Sequence, residues 1–189
     1  MLGALRLTLC AGLLALACGA AFWISLRSQQ APGSNVCSAE VKPISVVFLV
    51  RHAEKDDECL STAGKERARR LAEVFRRTKV HHLVASKLCR TRETLEPLAA
   101  LQRIDAKQIA EVGDLSLESA GAVAKLVRSF EAGQVTVVAH HSTTLQEIAV
   151  ELGVSRRDAA SIDTAGNDSL ALLLLPPGGE AQLVQLSYK

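Results

Sequence analysis

Three short stretches carry the side chains with chemistry to offer: Arg51-His52-Ala53-Glu54-Lys55, the segment from Ser86 through Arg90 to Thr94, and His140-His141-Ser142-Thr143-Thr144. A neutral imidazole is nucleophilic near pH 7, so a histidine in line with a phosphorus atom can take a phosphoryl group covalently. Arg51, beside His52, would grip the phosphoryl oxygens, because guanidinium is a planar, permanently charged fork that matches phosphate two bonds at a time. Arg90, near a helix start, would add a second fork and the helix's positive end. His141 would neutralise or hydrogen-bond the transferring group, so two arginines and two histidines would surround the anion and stabilise the charge that builds in transfer. Each element alone reads more simply as a surface loop or a packed doublet. Glu54 is a candidate substrate contact and proton donor, although beside Lys55 it also reads as a paired surface carboxylate.

The elements that must position these groups are legible in the apolar pattern. Residues 46–50 run apolar without alternation, as in a strand buried on both faces of a parallel sheet, and end in the charge of Arg51. Residues 135–139 behave likewise and end at His140. In open α/β sheets ligands bind beyond the carboxyl ends of the strands, so two buried strands deliver histidines to one edge. A helix follows Ser61 or Thr62 as N-cap, with Ala68, Leu71, Ala72 and Phe75 inward. A short strand is expected over 80–85, a loop opening a helix over 86–101, an irregular strand over 104–112, and helices over 117–130 and 142–152. Residues 170–175 and 181–186, separated by Pro176-Pro177-Gly178-Gly179, read as an antiparallel edge hairpin. The expected fold is α/β, a three-layer sandwich with a mostly parallel central sheet and that hairpin at one edge. His81 and His82 are expected to face solvent or pack locally, and Arg92 and Arg103 to be ordinary helix-surface charges.

The chain has 189 residues, a net charge of +2 and 3% aromatic residues, which favours one aliphatic core and gives no reason to expect nucleic acid. The domain is placed at residues 44–189. Residues 7–26 carry no charge and are long enough to span a bilayer, so residues 1–27 read as a signal anchor forming an N-terminal transmembrane helix; the alternatives are a cleaved or lipidated signal peptide ending near Cys18. By analogy with such anchors the domain is expected outside the cytoplasm. Residues 28–43 have the Pro, Gly and Ser content of a flexible tether. Cys37, Cys59 and Cys89 permit one disulfide; loop composition points to Cys37 with Cys59, and three free thiols are the alternative. No cysteine or histidine spacing suggests zinc.

Taken in order, RHAEK after a first strand, LSTAGKERARRLA, SKLCRTRET and VVAHHSTTLQEI resemble the histidine phosphatase superfamily, also called phosphoglycerate mutase-like, over about residues 44–175. The resemblance implies that His52 is the phosphorylated nucleophile, that Arg51 and Arg90 bind phosphate, with Thr94 closing the arginine segment, and that His141 with Ser142 forms the second half of the pocket. His140 stands where the family usually has Gly, and Thr143 where Asn is common. Glu111 resembles the family's acid, with Asp114 and Glu54 as alternatives. No metal or cofactor is implied. The chain resembles bacterial phosphohistidine phosphatases in its RHAEK form and small size, and lipopolysaccharide core heptose-phosphate phosphatases in its leading apolar segment. The short stretch between Thr94 and Ser119 implies an uncovered pocket suited to a large substrate, a glycolipid or a phosphoprotein, more than to a mutase's enclosed metabolite. A catalytically silent phosphate-binding module is the reading from another class.

Overall fold

The computed structural model describes residues 43–188. The apolar segment at 7–26, most of the tether and Cys37 lie outside the described residues. Among those residues no helix is long and apolar enough to cross a membrane.

Six strands form one sheet in the order β5-β4-β6-β1-β7-β8: β1 (Ser45–Arg51), β4 (His82–Ala85), β5 (Ala110–Glu111), β6 (Val135–His140), β7 (Ser169–Leu175) and β8 (Gln182–Ser187). The pairings β1–β6, β6–β4 and β4–β5 are parallel, and β7 and β8 add an antiparallel hairpin beside β1, as the apolar pattern predicts. Helices α1 (Thr62–Val74) and α2 (Cys89–Gln102) cover one face, where Phe75, Leu71, Leu95 and Leu98 pack on Val50, Leu83 and Val137. Helices α3 (Glu118–Arg128), α4 (Leu145–Glu151) and α5 (Arg156–Ala159) supply the other core, where Val123, Ile148 and Ala159 are clustered with Val47, Leu49 and Val138. Alternate residues of β1 therefore enter opposite cores, which is why its sequence shows no polar face. The expected irregular strand over 104–112 resolves into a 3-10 turn (Ala106–Gln108) and the two-residue β5.

A second, two-stranded sheet had no signal in the apolar pattern: β2 (Lys55–Asp56) pairs with β3 (Cys59–Leu60) around Asp57, whose φ is 59°. Its far end is covalently fixed. Cys59 is joined to Cys89, not to Cys37, in a disulfide of sequence separation 30. The expectation of a Cys37–Cys59 pair, or of free thiols, is thereby corrected: tertiary folding lays the hairpin against the start of α2, bringing the two Cα atoms to 5.1 Å. Closing such a loop is worth about 3–4 kcal/mol of chain entropy.

Candidate active site

Three strands of the parallel sheet end at the same edge. His52 follows β1, Ser86 follows β4, and His140 ends β6 with His141 next. The backbone ties them: Arg51 pairs with His140 across the sheet, and the His52 amide donates to the His140 carbonyl at 3.0 Å. The imidazoles of His52 and His141 lie 5.4 Å apart, centroid to centroid, at 62°.

The loop after β1 is held from both sides. The Ala53 amide donates to Thr94 Oγ1 at 3.0 Å, while Thr94 Oγ1 donates to the Arg90 carbonyl at 2.7 Å. On the other side the Glu54 carbonyl accepts from the Ser61 amide at 3.0 Å, and Ser61 Oγ caps α1 by accepting from the Gly64 amide at 3.1 Å. A Cβ on residue 64 would sit 1.9 Å from the Glu54 oxygen, so only glycine lets α1 approach this closely. That contact gives the Ser-Thr-Ala-Gly run a physical reason.

His52 Nδ1 lies 2.8 Å from the carbonyl oxygen of Ala53. A carbonyl only accepts, so Nδ1 carries the proton and Nε2 keeps its lone pair. Burial lowers the His52 pKa, and the Arg90, Arg51 and Lys55 charges add to that against the opposing Ala53 hydrogen bond. The ring is therefore held neutral in the tautomer a nucleophile needs.

Arg51 is steadied by a loop between α5 and β7, where Nη1 donates to the carbonyls of Thr164 at 3.2 Å and Ala165 at 2.6 Å. Asp163 Oδ1 shapes that loop by accepting from the Ala165 and Gly166 amides at 2.9 and 3.2 Å. Nothing in the local sequence pattern marks this support. Arg90 is buried in the first turn of α2. Arg51 Nε, Arg90 Nε and His141 Nδ1 are buried without a hydrogen-bond partner among the described residues. The fourth such atom is Glu54 Oε2, an acceptor; buried polar groups left unpaired cost about 1–3 kcal/mol each, and the two guanidinium donors are ones an anion would satisfy.

His141, 1% exposed, is bonded through Nε2 to Ser86 Oγ at 2.8 Å, and Ser86 Oγ meets Thr91 Oγ1 at 2.8 Å. Burial first, then the charges of His140, Arg90 and His52, bring its pKa down to about 3. His140, wholly buried, turns elsewhere: its Nδ1 contacts Thr144 Oγ1 at 2.6 Å and its Nε2 the Val112 carbonyl at 3.4 Å. His141 is thus the histidine whose ring neighbours His52. Ser142 is half-buried and has no side-chain hydrogen bond among the described residues.

The carboxylates are arranged differently from expectation. Glu111 is ion-paired with Arg92 at 2.6 Å, and Arg92 also reaches Glu96 and the Ala106 carbonyl, so this arginine is a tie between α2 and β5, not an ordinary surface charge. None of the Glu111 hydrogen bonds reaches the histidine cluster. Glu54 is bound by Arg67 through Nη2 at 2.6 Å and Nε at 2.7 Å, and that contact lowers its pKa. Asp114 is held at about 2 by the Ser116 amide and hydroxyl and by Ser119, and its charge bears on His140 and His141. His81 and His82 belong to the opposite end of β4, where His81 Nδ1 accepts from the Val135 amide and His82 stacks on Phe130 at 3.6 Å, the local packing expected of them. A cavity of about 870 Å³ beside α5 and the edge hairpin, lined by Asp158, Ser161, Gln182 and Gln185, contains none of the cluster. Among the described residues the one group of three side chains of metal-binding type, Cys59, Cys89 and Glu93, has both sulfurs joined in the disulfide.

Residues 47–118, which contain Arg51, His52 and Arg90, match the family model described as the histidine phosphatase superfamily (branch 1). Over those residues the chain is similar to the histidine phosphatase superfamily. Solved structures with the same fold include an Agrobacterium tumefaciens protein assigned as the phosphohistidine phosphatase SixA, 21% identical over 75% of this chain and 97% of its own, with a TM-score of 0.58. A mycobacterial glucosyl-3-phosphoglycerate phosphatase is 18% identical over 77% of this chain and 100% of its own, TM-score 0.58. A Plasmodium falciparum phosphoglycerate mutase is 14% identical over 78% and 95%, TM-score 0.57. No curated protein matches the sequence.

Proposed function

We propose that this histidine phosphatase hydrolyses a phosphomonoester or phosphoramidate through a phosphohistidine at His52, without a metal. The observation that carries this reading is the His52 Nδ1 to Ala53 carbonyl bond, which leaves Nε2 with a free lone pair beside Arg51, Arg90 and His141. Nε2 attacks phosphorus as the bond to the leaving oxygen or nitrogen breaks. Arg51 and Arg90 hold the equatorial oxygens, and His141 stabilises the transferring group. Water then cleaves the P–N bond, releasing inorganic phosphate and neutral His52. His52→Ala protein incubated with substrate should yield no acid-labile phosphate and no turnover, whereas wild type should yield both, unchanged by chelator. Acid-labile label on the variant would place the nucleophile elsewhere.

We further read the protein as tethered to a membrane by residues 1–27, with the domain outside the cytoplasm. The Cys59–Cys89 disulfide supports an oxidising compartment. Leu115 and Leu117, 52% and 60% exposed, lie on the segment that also carries Asp114, and the Leu115 carbonyl accepts from Thr143, two residues past His141. Exposed leucines beside a phosphate site support a large amphiphilic substrate, a glycolipid or phosphoprotein. Comparing hydrolysis of phosphorylated glycolipid in micelles with that of soluble sugar phosphate tests this; a preference for the soluble compound contradicts it.

A further inference from the structure

Arg90 sits between two ties. On one side of it in sequence, Cys89 is bonded covalently to Cys59, the end of the loop that begins at His52. On the other, Thr91 Oγ1 meets Ser86 Oγ, which in turn contacts His141 Nε2. The helix that carries Arg90 begins without a side-chain cap: its N-cap, Leu88, offers no side-chain acceptor to the first-turn amides, and the chain before Arg90 is held by the Leu88 amide on Ser86 Oγ at 3.2 Å, the Lys87 amide on the Gly113 carbonyl at 3.0 Å and the disulfide. Such a helix end frays unless something else holds it. Two further ties join the His52 loop to α2, the Leu60 amide to Glu93 Oε2 at 2.7 Å and the Ala53 amide to Thr94 Oγ1 at 3.0 Å, but both lie later along the helix than Arg90. The hairpin that carries Cys59 has two residues in each strand, too little to hold itself in place.

We propose that the Cys59–Cys89 disulfide is a positioning device for Arg90, standing in for the missing helix cap and fixing the guanidinium against the His52 loop, so that phosphate affinity depends on the oxidation state of the bridge. This rests on the phosphatase reading for its consequence in catalysis, but not for its consequence in binding. Two electrons and two protons from a dithiol convert the bridge to two thiols, and the dithiol leaves as its own cyclic disulfide. The first turn of α2 then loses its covalent tie to the His52 loop and keeps, before Arg90, the Lys87 amide on the Gly113 carbonyl and the Leu88 amide on Ser86 Oγ, while Glu93 and Thr94 keep the rest of the helix docked to that loop. A displacement of about 1 Å in a group that positions the reacting phosphoryl can cost up to about a hundredfold in rate.

The test is a thermodynamic cycle on the full-length protein purified without reductant. Inorganic phosphate affinity is measured by calorimetry, and turnover of an aryl phosphate by kinetics, for wild type, Cys59→Ser/Cys89→Ser, Arg90→Ala and the triple variant. The expected result is phosphate binding about tenfold weaker on losing the bridge when Arg90 is present, and less than about twofold weaker when it is absent, because residues that act through one another are not additive. Unchanged phosphate affinity without the bridge, or an equal loss in both backgrounds, would show that the disulfide serves stability alone and overturn the proposal. Should the serine variant not fold, the same binding comparison between oxidised and dithiol-treated wild type and Arg90→Ala gives the same two outcomes. Because binding is read separately from turnover, an oxidised wild type that binds phosphate without hydrolysing esters would count against the phosphatase reading and not against the bridge.

Discussion

His52 donates its Nδ1 proton to the carbonyl of the residue that follows it, Ala53, at 2.8 Å. The same burial that secures this bond lowers the ring's pKa. Protonation removes the lone pair, so the acid limb of kcat/KM, which reports the free enzyme, should lie below the ordinary histidine value of about 6.5. The sign for stability follows from the same shift. An imidazole that resists protonation in the fold contributes stability fully present above the unfolded pKa and lost as pH falls from about 6.5 toward the folded value, which for His141 is about 3. Urea midpoints should therefore decline between about pH 6.5 and 4; midpoints that rise over that window would contradict the burial of His52, His140 and His141.

Arg51 and Arg90 are each expected to lose on the order of 10² or more in kcat/KM on conversion to alanine, the scale of a preorganised donor to transition-state charge. Lysine should rescue little, since a point charge cannot span two phosphate oxygens. Steady-state kinetics of the four variants decides this, and a lysine variant near wild type would refute the fork argument.

His140 and His141 should separate under mutation. His141→Ala is expected to be severe in rate, because its ring neighbours His52. His140→Gly is expected to keep kcat within about threefold while losing about 2–4 kcal/mol of stability, from the cavity and the abandoned Thr144 hydroxyl. The opposite pattern would put His140 at the phosphate.

The leaving group should matter strongly. Glu54 and Asp114 are held ionised and Glu111 is paired with Arg92, so none stands ready as a proton donor. Nitrophenol or imidazole departs well unprotonated; an alkoxide does not. Aryl phosphates should thus turn over at least about tenfold faster than alkyl phosphates, and Glu111→Gln should slow both classes equally. A loss confined to alkyl phosphates in Glu111→Gln would restore that residue as the acid.

The buried strands, the edge hairpin, a helix cap at Ser61 or Thr62, the placing of Arg51 and the histidines at strand ends and that of Arg90 near a helix start were readable from sequence alone, because apolar runs and turn residues act over a few neighbours. The unbroken run in β1 states that both faces are covered; it cannot state by what. Tertiary structure alone decided that Cys59 meets Cys89, that Arg51 leans on the Thr164 and Ala165 carbonyls 113 and 114 residues away, and that Arg92 takes Glu111. It also set the ring of His141, the histidine that the Ser142 register favours, 5.4 Å from that of His52. Those outcomes depend on how the strands cross over and which helix face lies against which loop, and partners brought together across more than a hundred residues leave no periodic trace in the chain between them.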